Sequence, residues 1–168
     1  KIKLFFPGQL RKDKFNNNFN HFLKLNNSGN FDIYINNRFQ NNFKIKNKII
    51  KFSNNLSRNN YLKIFSKINV VVLPYEEKDY KHRSSGIFIE SISLNKTTLV
   101  TNKTWMSSEL RKFKLDDFII NNWKSFYLIK NLKNIFNYKN QKKLLSMQKK
   151  YLSFHNENNF VKIFSKII

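Results

Sequence analysis

The chain has 168 residues, no Cys and a formal net charge of +22. That length supports one domain with a real core, and the lack of Cys excludes a disulfide framework and any cysteine-ligated metal site. No signal-peptide pattern opens the sequence, no apolar stretch approaches the roughly 18 residues that a membrane span needs, and a cytoplasmic location is the expectation.

At face value, a charge of +22 is the footprint of a surface for polyanions, either nucleic acid or an anionic membrane. Composition offers a plainer source. There is no Ala, there are 28 Asn, and Lys far outnumbers Arg. Lys, Asn, Ile and Phe are the residues of A+T-rich codons, and the lysines are spread along the chain rather than gathered in one block. The same bias makes the three Gly and two Pro informative. Pro7-Gly8, Pro74 and Gly86 stand where predicted strands hand over to loops or helices, and Gly29 sits in an Asn-rich turn.

In chain order, 1–6 (KIKLFF) reads as a strand and 7–10 as the loop after it. Residues 13–25 place Phe15, Phe19, Phe22, Leu23 and Leu25 near helical spacing, with Asp13 as a possible cap. Residues 31–35 (FDIYI) alternate as a second strand, 38–43 are compatible with a short helix, and 48–52 form a third strand. After a turn at 54–57, residues 58–67 carry Tyr61, Leu62, Ile64 and Phe65 as an amphipathic helix. Val70 to Leu73 is a short apolar run ended by Pro74, as in a strand covered on both faces. Glu76, Glu77 and Asp79 read as a solvated loop. Ser84-Ser85-Gly86 then opens a helix: serine is an N-cap signal, glycine permits close approach to the backbone, and the free N–H groups of a first turn suit phosphate. Residues 97–101 return as a strand, followed by a loop and a short helix. A last short strand spans 117–120, and 123–138, 140–154 and 157–168 read as a helical tail. Strands alternating with helices imply right-handed crossovers and a parallel sheet, with ligands at the carboxyl ends of its strands.

These residues resemble a known family. The stretch 61–109, with LPY ending a strand, then RSSGIFIES and LNKTTLVTN, is similar to the carboxy-terminal domain of GT-B-fold glycosyltransferases of the large group-1, glycogen synthase-like, retaining family. That family shows a strand ending in Leu-Pro-Ser or Leu-Pro-Tyr, a loop, and a helix with Phe-Gly or Ser-Gly before Leu-Glu-Ala. The segment LFFPGQLRKDKF likewise resembles the family's strand, glycine, arginine and lysine segment. The resemblance implies an α/β, Rossmann-like parallel sheet with helices on both faces, one half of a GT-B fold. Residues 1–122 would be the nucleotide-sugar-binding domain, and 123–168 a helical tail packing on it or on an amino-terminal half outside these residues. It implies a hexosyltransferase-type enzyme, inactive without that half, taking a nucleotide-diphosphate sugar as donor substrate, with no cofactor and no metal, and a glycan or lipid-linked acceptor.

Residue by residue, Glu90 matches the second glutamate of the family's Glu-x7-Glu motif, which bonds the donor ribose. His82 stands where the first glutamate is usual. Ser85, Gly86 and Ile87 match the helix start that offers N–H groups to the diphosphate, with Gly8 in the corresponding turn after the first strand. Lys14 matches the lysine that neutralises the departing diphosphate. Gln9 replaces the usual arginine, for which Arg11 is the nearby substitute. Asn54, Asn55 and Leu56 match the loop bordering the base. Trp105 is open to two readings, flanking the donor sugar or packing in the core. Two other functions compete: a basic nucleic-acid-binding module, for which no reader motif is present, and a nucleotide-sugar epimerase on the same fold. A positive surface seated on an anionic bilayer is a further expectation, with no specific nucleic acid as partner.

Overall fold

The computed structural model describes residues 1–7, 17–39, 44–53, 55–154 and 156. Six strands form a single sheet: β1 (Ile2–Phe6), β2 (Phe31–Asn36), β3 (Lys48–Phe52), β4 (Val70–Leu73), β5 (Thr97–Thr101) and β6 (Ile119–Ile120). Their order is β3-β2-β1-β4-β5-β6 and every pairing is parallel. This is the doubly wound, Rossmann-like α/β arrangement expected from the sequence. Its strand order reverses between β1 and β4, the point where crossovers diverge and leave a crevice at the carboxyl edge.

Neighbouring phenylalanines on β1 show why helices cover both faces. Phe5 and Phe6 point to opposite sides, as adjacent strand residues must. Phe6 meets Phe19 and Phe22 of α1 (Asn17–Leu25) at ring distances of 4.9 and 5.6 Å. Phe5 meets Phe65 and Tyr61 of α2 (Arg58–Lys67) at 5.2 and 6.1 Å. All four residues of β4 are buried, as its apolar run requires. β3 is an edge strand with exposed Lys48 and Lys51, charges that discourage pairing with another chain.

On the face of α2 lie α4 (Gly86–Ser93) and α5 (Trp105–Lys112). The tail contributes α6 (Leu128–Ile135) and α7 (Tyr138–Phe154). α7 packs against α4 and buries Leu144, Met147 and Tyr151.

Three local readings differ from the structure. Glu77–Tyr80 forms a one-turn helix, α3, because buried Tyr80 packs against buried Tyr75, ring centroids 4.5 Å apart, and anchors the turn. The segment expected as a strand at 117–120 begins with a 3-10 turn, Asp116–Phe118, and only Ile119–Ile120 joins the sheet. The tail helix expected from Trp123 starts at Leu128, since Trp123 is buried and its Nε1 donates to Thr101 Oγ1 at 3.0 Å. The possible helix at 38–43 falls partly, and that at 157–168 wholly, outside the described residues.

Candidate functional site at the carboxyl edge

The start of α4 is built as the sequence suggested. Ser85 is buried and caps the helix, its Oγ accepting from the backbone N–H of Phe88 at 3.3 Å. Gly86 is exposed, and a Cβ placed there would meet nothing within 4 Å, so open space lies beside it. Ile87 is half-buried against the core. The remaining N–H groups of this turn form a partial positive end suited to an anion.

Glu90 lies one turn further along, with a side chain 22% exposed. It forms an ion pair with Arg58, the first residue of α2. Tyr61, one turn on in α2, has its hydroxyl pKa pushed well above the usual tyrosine value, by burial first and then by the charge and hydrogen bond of Glu90. The Arg58 guanidinium also lies over the Tyr61 ring, 5.7 Å from its centroid. This ties the amino end of α2, and hence the loop after β3, to the first turns of α4. Asn55 and Leu56 belong to that loop; Asn55 is exposed and its N–H donates to Ser53 Oγ at 3.2 Å, while Leu56 is half-buried. His82 is exposed in the bend between α3 and α4. Trp105 is half-buried, with its ring 5.8 Å from Phe88, and so packs against the core.

A cleft of about 690 Å³ opens at the point where strand order reverses. It is lined by Asn17 and Asn18 of α1, Glu76, Glu77, Lys78 and Lys81 around α3, and Thr101 at the end of β5. Asn18 Nδ2 donates to the Pro74 carbonyl at 3.4 Å, bridging the segments after β1 and β4. Glu76 pairs with Lys78 at 2.9 Å. Sequence reasoning missed this lining: Asn17 and Asn18 sit in an Asn-rich run like several others, and Glu76 and Glu77 carried no signal beyond following β4. Gly86 and Glu90 do not line the cleft. Gly8, Gln9, Arg11, Lys14 and Asn54 lie outside the described residues, so their convergence with Glu90 stays an expectation. Among the described residues, no cluster of His, Asp or Glu could hold a metal ion, and no helix is long and apolar enough to cross a membrane.

No family model matches the sequence, and no curated protein matches it. Among solved structures, the chain is similar to the catalytic domain of cholesterol-α-glucosyltransferase from Helicobacter pylori. The match has a TM-score of 0.61 at 17% identity and covers 91% of this chain and 98% of that one. At that identity the likeness is one of fold.

Proposed function

We propose that the chain is the donor-binding domain of a glycosyltransferase of the group-1, retaining type that uses a nucleotide-activated hexose. One observation carries the reading: at the carboxyl edge of a parallel sheet, the Arg58–Glu90 pair sets the loop after β3 beside the capped, open start of α4. That spacing suits one nucleoside diphosphate, with the base along Asn55 and Leu56, the ribose hydroxyls on Glu90 and the phosphates toward the first turn of α4. A carboxylate has about four lone-pair sites, so pairing with Arg58 leaves Glu90 acceptor capacity for hydroxyls. The fold likeness to a glucosyltransferase catalytic domain supports the same reading.

In this mechanism the bond between the sugar carbon and the phosphate oxygen breaks, and its electron pair stays on the diphosphate. An acceptor hydroxyl oxygen takes the carbon, and its proton passes to the freed diphosphate oxygen. Lys14, with Arg11, and the amides at Ser85, Gly86 and Ile87 stabilise the departing charge, which is greater in the transition state than in the ground state. His82 and Gln9 would lie near the sugar and the phosphates. Protein groups supply all the stabilisation, so no metal is invoked. On this reading the acceptor side is supplied by a further domain, and the donor-binding domain alone turns nothing over.

Calorimetric titration with uridine and guanosine diphosphates tests the reading. One of them should bind saturably, and Glu90→Ala should weaken it by about ten- to a hundredfold, the cost of losing hydrogen bonds to a charged acceptor. Flat titrations with all common nucleoside diphosphates would remove it.

A further inference from the structure

Helix α7 has two faces, and only one is used by the fold. Leu144, Met147 and Tyr151 turn inward onto α4 and α5, with the Tyr151 ring 6.5 Å from Phe88 and its hydroxyl donating to Glu109 at 2.9 Å. On the opposite side Tyr138, Leu145 and Leu152 recur at seven-residue spacing and are 81%, 41% and 50% exposed. Exposed Lys142 and Lys149 fall between them on the same stripe. The helix holds five lysines and no acid over its 17 residues, about 25 Å of length. A solvated helix gains nothing from placing two leucines and a tyrosine outward at this period, whereas an interfacial helix needs that pattern: apolar side chains entering the acyl boundary and lysine stems snorkelling to the headgroups.

We propose that the outer stripe of α7 is a docking surface for an anionic lipid bilayer. Charge complementarity selects this occupant. A second copy would set Lys142 and Lys149 against the same lysines on a chain already at +22. A nucleic acid would engage the lysines but leave Leu145 and Leu152 in water. The orientation is also workable. Gln141 reaches Thr97, the first residue of β5, and Gln148 reaches the Ser93 carbonyl at 2.9 Å, so α7 runs antiparallel to α4, from the amino edge of the sheet toward the carboxyl edge. A bilayer lying along α7 is therefore parallel to the strands, and the carboxyl edge opens along the membrane plane. This inference does not depend on which ligand the carboxyl edge binds.

Co-sedimentation of the 168-residue chain with vesicles tests it, using phosphatidylcholine alone and phosphatidylcholine mixed with phosphatidylglycerol. The chain should bind the mixed vesicles and not the neutral ones. Leu145→Ser with Leu152→Ser should lower the partition coefficient by about tenfold, and Lys142→Gln with Lys149→Gln by about fivefold per lysine. Both pairs are exposed, and circular dichroism checks that the fold is kept. Should the serine pair fail to fold, Leu152→Trp gives a second readout, a blue-shifted emission increment on mixed vesicles only. Absence of binding, equal binding to both vesicle types, or binding unchanged by the serine pair would overturn the proposal. So would self-association that the serine pair abolishes.

Discussion

A scarcity of glycine leaves its mark at single positions. Two helices end in the hydrogen-bond pattern that glycine usually closes. After α4, the N–H of Asn95 donates to Ile92 and that of Lys96 to Ser91, at 2.9 and 2.8 Å, with Asn95 at φ 53°. After α5, the N–H of Lys114 donates to Arg111 and that of Leu115 to Leu110, at 2.9 and 3.1 Å, with Lys114 at φ 56°. Asparagine adopts that left-handed conformation at little cost, and lysine at a larger one. Lys114→Gly is therefore expected to stabilise the fold by about 0.5–1 kcal/mol in urea unfolding, while Asn95→Gly changes it by less. Asn26 makes the opposite case. It is buried, its Nδ2 donates to the Phe22 and Phe126 carbonyls at 2.9 and 3.0 Å, and its Oδ1 accepts from the Leu128 N–H at 2.6 Å, joining the end of α1 to the start of α6. Asn26→Ala should cost about 3 kcal/mol by the same measurement, because it strands buried backbone groups. Among 28 asparagines, nothing in the sequence distinguishes this one from those that only fill turns.

Elements were legible wherever period and punctuation agreed. β3, α2 and β4 begin and end at the predicted residues; the amphipathic period marks α2, and the apolar run with its proline stop marks β4. The sequence misled where a single tertiary contact decides the backbone: packing of Tyr80 against Tyr75 makes a helix of the acidic loop, and the Trp123–Thr101 hydrogen bond delays the tail. One such contact has a pH signature. Tyr151 joins α7 to Glu109 of α5, a carboxylate also paired with Lys112, and burial and then Glu109 push its hydroxyl pKa up. Since the folded value lies above the unfolded one of about 10, this stability is complete below pH of about 10 and is lost as pH rises above it. The urea midpoint should fall above that pH, and Tyr151→Phe should flatten the fall. Equal slopes for the two proteins would show that the contact is not formed.

For the whole molecule, the alternation of apolar runs with helical segments was enough to place a parallel sheet, and LPY followed by RSSG was enough to point at its carboxyl edge. Which side chains line the cleft was not legible, because that depends on how α1 and α3 approach across the reversal of strand order. Net charge gave the least guidance, since the same +22 follows from codon composition or from a selected surface. The central claim concerns place as much as chemistry: a nucleoside diphosphate held against the first turns of α4. Amide hydrogen exchange with and without saturating uridine or guanosine diphosphate locates it most directly. Protection confined to the amides between Ser85 and Glu90 and to the loop after β3 is the predicted result. Exchange unchanged there, or protection confined to the amino edge of the sheet, would contradict the account.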